Sequence, residues 1–180
     1  MKWWDNLRNY FYQKNIAEKL SGVKVKRVIT NLTDAKSVGI VYNSTNPDND
    51  IIITKFAEEL RKQAKTVDIL GFVNDTKIDH KADILVFNKK NLTWTQTPKD
   101  ERVENFASRN FDLLFAAFVE ENLPLEYVVR TSKAKWRVGS FDEKKTDSYE
   151  LMINLGAKND LSYFLQQATQ FLNKINYDSK

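Results

Sequence analysis

Apolar and polar positions follow two periods along this chain, and the longest apolar run lies near its middle. Residues 111–118, FDLLFAAF, carry a single charge, Asp112, which is too apolar for a strand with one wet face. A strand buried on both faces implies a parallel sheet with helices on each side. Downstream, Pro124 opens a helical stretch and Gly139 stops a second short strand, so 111–139 reads as one β-α-β crossover. Upstream, SVGIVY at 37–42 predicts the first core strand. Asn46 and Pro47 fit the N-cap and first position of a helix reaching Lys65, with Ile53, Phe56, Ala57, Leu60 and Ala64 on one stripe. TVDILGFV at 66–73 then completes a second β-α-β unit, expected to cross over right-handed.

The same patterning fills in the rest. DILVF from Asp83 predicts a strand, Thr97 and Pro98 open a helix burying Val103 and Phe106, and YELMINL at 149–155 predicts a last strand. From Asn159 onward, Leu161, Phe164, Leu165, Ala168, Leu172 and Ile175 repeat at helical spacing. VKVKRVI from Val23 alternates apolar with basic residues and fits an edge strand whose lysines face water. The polar stretch NKKNLTWTQTPKDE reads as an edge hairpin or extended loop, with Trp94 covering the sheet edge or forming a recognition platform. Together these elements predict a three-layer, Rossmann-like α/β domain of about six mostly parallel strands over residues 23–180, preceded by a helical extension, 1–22.

That extension has two apolar groupings. Trp3, Trp4, Leu7 and Phe11 share one side, while Tyr12, Ile16 and Leu20 fall roughly opposite. One surface cannot bury both, so the helix either lies between two surfaces or bends. The expectation is a homodimer or protein-partner contact through Trp3, Trp4, Leu7 and Phe11; a membrane surface or nucleic acid is the alternative.

Composition narrows the classes. A length of 180 residues with 42% hydrophobic and 29% charged residues suits one globular domain with its own core. The absence of cysteine excludes disulfides, thiolate nucleophiles and zinc-thiolate sites and fits a reducing compartment. No apolar run approaches the ~18 residues that span a bilayer, and the first residues lack a signal-peptide core, so a cytoplasmic location is expected. The Asn-x-Ser/Thr sequons at Asn31, Asn43, Asn74 and Asn91 would then stay unmodified. Net charge is +4, yet residues 1–30 hold seven Lys or Arg against Asp5 and Glu18, which leaves −1 for the other 150. Attraction to an anionic partner therefore belongs to the extension, and no strong nucleic-acid signal lies in the domain.

Candidate chemistry is sparse. No glycine lies between Gly39 and Gly71, where a dinucleotide-binding turn would need several, and no cofactor is implied. Ser44 and Thr45 could still hold an anion at a helix N-terminus. Glu120 and Glu121 follow the central strand, where ligands of open parallel sheets bind, and are the candidates for acid-base work. Lys89, Lys90 and Arg137 are the candidates for holding phosphate. Lys135 and Arg137 fall two apart on a strand and point to one side, which also suits a solvent-facing strand end. His80 between Asp79 and Lys81 reads as a solvated loop residue, and Asp75, Asp79 and Asp83 would lose their helical spacing on entering a strand, so no metal site is assigned.

KSVGIVYN at 36–43, ILGFVN at 69–74, FDLLFAAFVEENLPLEYVVRTSKAKWRVG at 111–139 and YELMINL at 149–155 together resemble a family of small uncharacterised bacterial proteins known as a domain of unknown function. The resemblance implies an α/β fold and no established activity, with Ser132, Ala134 and Gly139 in its signature. Over about thirty residues, Phe111, Asp112, Leu113, Ala134, Arg137 and Gly139 are also similar to the acceptor-side half of heptosyltransferases, whose donor is held mainly by a second domain. The expectation drawn from all of this is a non-catalytic cytoplasmic module binding a partner protein or small anionic ligand. The alternatives are a transferase-like enzyme acting on a phosphorylated or nucleotide-linked substrate at the strand ends, and a membrane or nucleic-acid binder using the basic helix.

Overall fold

The computed structural model describes residues 2–21, 25–77 and 84–175. In chain order the elements are α1 (Lys2–Ser21), β1 (Ser37–Asn43), α2 (Pro47–Lys62), β2 (Thr66–Val73), β3 (Leu85–Asn88), α3 (Glu101–Ala107), β4 (Leu113–Ala117), α4 (Leu123–Thr131), β5 (Trp136–Ser140), β6 (Leu151–Ile153) and α5 (Leu161–Lys174). Short 3-10 turns occupy Lys89–Asn91 and Glu143–Lys145. The six strands form one sheet in the order β3-β2-β1-β4-β5-β6, every pair parallel. This is the expected α/β architecture, with β4 central and buried along its whole length.

Alternation along the strands divides the core. Ile40 and Tyr42 of β1 and Phe115 of β4 face α2 and α5, meeting Ile53, Phe56, Phe164 and Ala168. Val41, Leu114 and Ala116 face the other way, onto Phe106 of α3 and Leu125 and Val128 of α4. Both faces of the sheet are thus closed, and α1 lies outside α4 as a further layer.

Local chemistry sets the helix ends. Asn46 caps α2 through its side chain, which accepts from the Asp48 N–H, with Pro47 at the start. The expected continuation to Lys65 fails: α2 stops at Lys62 and Ala64 is exposed with φ 59. Ala64 N–H donates to Arg61 O and Lys65 N–H to Leu60 O, a Schellman ending with alanine where glycine is usual. The helix placed at Thr97–Pro98 begins instead at Glu101, capped by Asp100, because Pro98 pairs with Leu92 in an isolated antiparallel bridge. At α5 the cap is Asp160, and the predicted apolar stripe is buried from Leu161 to Leu172, while Ile175 is the half-buried C-cap.

The edge strand expected at Val23–Ile29 is absent from the described part of that segment. Residues 25–30 form no strand, and one backbone hydrogen bond ties them down, Val28 N–H to Lys135 O at 3.1 Å. Arg27 turns inward to the carbonyls of Ser132 and Ala134. His80, Asp79 and Asp83 lie outside the described residues.

Candidate functional site

Residues expected to carry chemistry divide between the two edges of the sheet, and the amino edge uses its charges internally. Arg137 corrects two expectations. It lies level with Leu114 near the start of β5, not at the carboxyl end, and is 5% exposed rather than solvent-facing. Its guanidinium forms a two-pronged pair with Glu150, Nε to Oε2 at 3.0 Å and Nη2 to Oε1 at 2.8 Å, and donates further to Asp147 O at 3.2 Å. Arg27 joins Glu150 at 3.4 Å and is held below the ordinary arginine range by burial and by the charge of Arg137. Lys135 does not share a side with Arg137; it pairs with Asp112 at 2.7 Å. The Asp112 carboxylate also accepts from the N–H groups of Lys36 and Ser37, stapling β1 to β4. Burial pushes that carboxyl up, but Lys135 and the two amides outweigh it and bring its pKa down to about 2.

At the carboxyl edge beyond β1, Ser44 and Thr45 are engaged by the first turn of α2 and the loop after β2. Ser44 Oγ donates to Asp50 at 2.6 Å, as does the Tyr42 hydroxyl at 2.6 Å, and Thr45 Oγ1 accepts from the Asn74 N–H at 2.9 Å. Asp48 and Asp50 occupy the first turn of α2, so two carboxylates stand where an anion would meet the helix dipole. Lys89 and Lys90 are exposed on the turn after β3. Three strand spacings separate β3 from β4, about 14 Å, so these lysines and Glu120 and Glu121 do not converge.

The carboxyl ends of β4 and β5 enclose a cavity of about 710 Å³. Glu120 and Glu121 line it, together with Ser140 and Asp142 from beyond β5. Glu126, Arg130, Lys145 and Tyr149 also line it, and no sequence signal singled them out for a site. Glu126 is buried in the first turn of α4 and meets Lys145 at 2.5 Å; Lys145 also reaches Asp142 at 3.3 Å. Burial works against the lysine charge, yet these carboxylates hold its pKa above the ordinary lysine value. Arg130 pairs with Asp147 at 2.9 Å.

Tyr149 reaches this cavity because of Gly139. A Cβ at that position would overlap the Tyr149 ring, so glycine lets the ring lie flat on β5. Burial and then the Glu126 carboxylate raise the pKa of Tyr149, and the same two causes act on Tyr12.

The remaining wall belongs to α1. Asn9 and Gln13 line the cavity, and Gln13 Oε1 accepts from Arg130 Nη1 at 2.9 Å. Tyr12 and Ile16 are 1% exposed, and the Tyr12 hydroxyl donates to Leu123 O at 2.8 Å. Of the two groupings along this helix, the Tyr12 side is therefore the docked one. Trp3 and Trp4 project outward, 64% and 65% exposed, while Leu7 and Phe11 are half-buried. Trp94, expected over the sheet edge, instead stands 59% exposed with its ring 5.5 Å from Phe11, extending the same outer face. Tyr10 also belongs to it, and its signal was legible as Trp3, Leu7 and Tyr10 at positions i, i+4 and i+7.

Fold and cavity define a three-layer, doubly wound α/β protein whose N-terminal helix completes the wall of a polar cavity at the carboxyl edge. The chain belongs to a family of unknown function, DUF6913, which it matches over residues 8–175. No curated protein matches it. Among the described residues no helix is long and apolar enough to cross a membrane, and no group of three or more His, Cys, Asp or Glu could hold a metal ion.

Proposed function

We propose that this protein is a non-catalytic binding module that pairs with a second copy of itself through the outer face of α1. The observation that carries the reading is the exposure of Trp3, Trp4 and Tyr10 on a helix whose opposite face is locked onto the domain. Docking has therefore used one apolar grouping and left the other for a partner. With roughly 200 Å² per ring, Trp3, Trp4, Tyr10 and Trp94 present on the order of 500 Å² of aromatic surface. Half-buried Leu7 and Phe11 bring the face toward the ~800 Å² per partner of a standard interface.

Charge favours self-association over phosphate-bearing partners. Arg8, Lys14 and Lys19 each meet a carboxylate, Asp5 at 3.2 Å, Glu18 at 3.8 Å and Glu104 at 3.6 Å. A surface that presents both signs along its length is self-complementary about a twofold axis, whereas a lipid or nucleic-acid surface calls for cations left open. A cytoplasmic location agrees with a chain that has no cysteine.

The test is the double substitution Trp3→Ser, Trp4→Ser. Light scattering should show the association abolished, while circular dichroism of the dilute protein keeps its helical signal. Association that survives the substitution would place the contact elsewhere, and binding of the unmodified chain to anionic vesicles would favour the membrane alternative.

A further inference from the structure

The cavity beside α1 has a charge imbalance and a largely buried tyrosine whose hydroxyl has no protein partner among the described residues, and together they specify a ligand. Its walls hold six carboxylates, Glu120, Glu121, Glu126, Asp142, Glu143 and Asp147, against Arg130, Lys144 and Lys145. Lys145 and Arg130 satisfy Glu126, Asp142 and Asp147. Glu120, Glu121 and Glu143 have no ion pair among the described residues and are exposed around the opening. The site therefore carries net negative charge, and its floor is already neutralised while its mouth is not.

The second observation is Tyr149. It is only 7% exposed and lines the cavity, yet its hydroxyl makes no hydrogen bond among the described residues. Among the described residues the side-chain atom that is both sealed from solvent and unpartnered is the indole N–H of Trp136, so the Tyr149 hydroxyl opens to the cavity, where an entering group takes over the hydrogen bond that water supplies. The Gly139 contact fixes the ring, so the hydroxyl cannot turn away to find one. An N–H donor entering the cavity would meet it, with the Glu126 carboxylate close enough to raise the phenol pKa. The volume, about 710 Å³, suits a small organic molecule.

We propose that this cavity binds a small aliphatic polyamine, one ammonium group accepted by the Tyr149 hydroxyl and a second held by Glu120 and Glu121 at the mouth. The proposal differs from the anionic ligand expected at the strand ends, and it does not rest on the pairing of two chains. Asn9 and Gln13 of α1 add neutral polar atoms to the same wall, so a bound polyamine would touch both α1 and the crossover 111–139.

Calorimetric titration of the full chain with spermidine tests it. Binding is expected at one site and should weaken as salt rises. Tyr149→Phe keeps the ring on Gly139 and should leave the melting temperature unchanged. It should weaken spermidine about tenfold, the loss of one hydrogen bond to a charged group. Glu120→Gln with Glu121→Gln should weaken spermidine by a comparable factor, and inorganic phosphate should not compete. The proposal is overturned if millimolar spermidine gives neither heat nor a rise in melting temperature. It is equally overturned if Tyr149→Phe binds spermidine as tightly as the unmodified chain, or if a lysine-rich peptide binds and spermidine does not.

Discussion

At the amino edge of the sheet, charged residues are turned inward and used up; at the carboxyl edge they line an opening and are only partly matched. Arg137, Glu150 and Arg27 form a buried cluster at the first, and Lys135 and Asp112 tie strand β4 to β1 through β5's leading loop. At the second, Glu120 and Glu121 have no such partners among the described residues, and α1 adds Asn9 and Gln13 to the same wall. Both edges carry charges of both signs, so the useful distinction is what each charge meets. A site is the place where polar groups have been placed and not consumed.

The comparison can be broken most sharply at Glu150. Replacing it by alanine leaves the Arg137 guanidinium buried without a counter-charge, which should cost about 3–5 kcal/mol in urea denaturation. A loss below about 1 kcal/mol would mean that the cluster is solvated and the amino edge less closed than described.

Asp112 gives the next effect and has a definite pH signature. Its folded pKa, about 2, lies below the ordinary 3.8. Its contribution is therefore present above pH 4 and lost as pH falls from 4 toward 2. Asp112→Asn should lower stability at neutral pH by about 1–2 kcal/mol, allowing for solvent at the sheet edge. The gap between variant and unmodified protein should close over that acid range. A gap that stays constant with pH would assign the loss to the amide's packing and not to charge.

The carboxyl edge should respond least. Glu120→Gln with Glu121→Gln removes two charges that have no ion pair among the described residues, and folding stability should shift by less than about 0.5 kcal/mol. A larger loss would show that these carboxylates are structural, and the contrast between the edges would fail.

The sequence carried the elements further than it carried their partners. The run at 111–118 announced a central parallel strand, and the stripes of α2 and α5 announced their buried faces, because both signals are local and periodic. The cavity was not legible because its walls come from residues 19 to 23 apart, Glu126 with Lys145 and Tyr149, that only the β4-α4-β5 crossover brings together. Arg137 misled for a related reason: arginine two residues after a lysine suggests a wet strand end, and its counter-charge lies 13 residues on. Residues 25–30 alternate like a strand, but alternation cannot reveal whether a segment pairs, and this one joins no ladder. In α1 the two apolar groupings were visible, and the hydrogen bond from Tyr12 to Leu123 decided which one docks.

The central claim is that the aromatic face left outside by α1 is covered by a second copy of the chain. Sedimentation equilibrium on the full-length protein at tens of micromolar tests it most directly. The expected result is a species of twice the 21.0 kDa chain mass that dissociates on dilution. A single species at the chain mass at every concentration would contradict it.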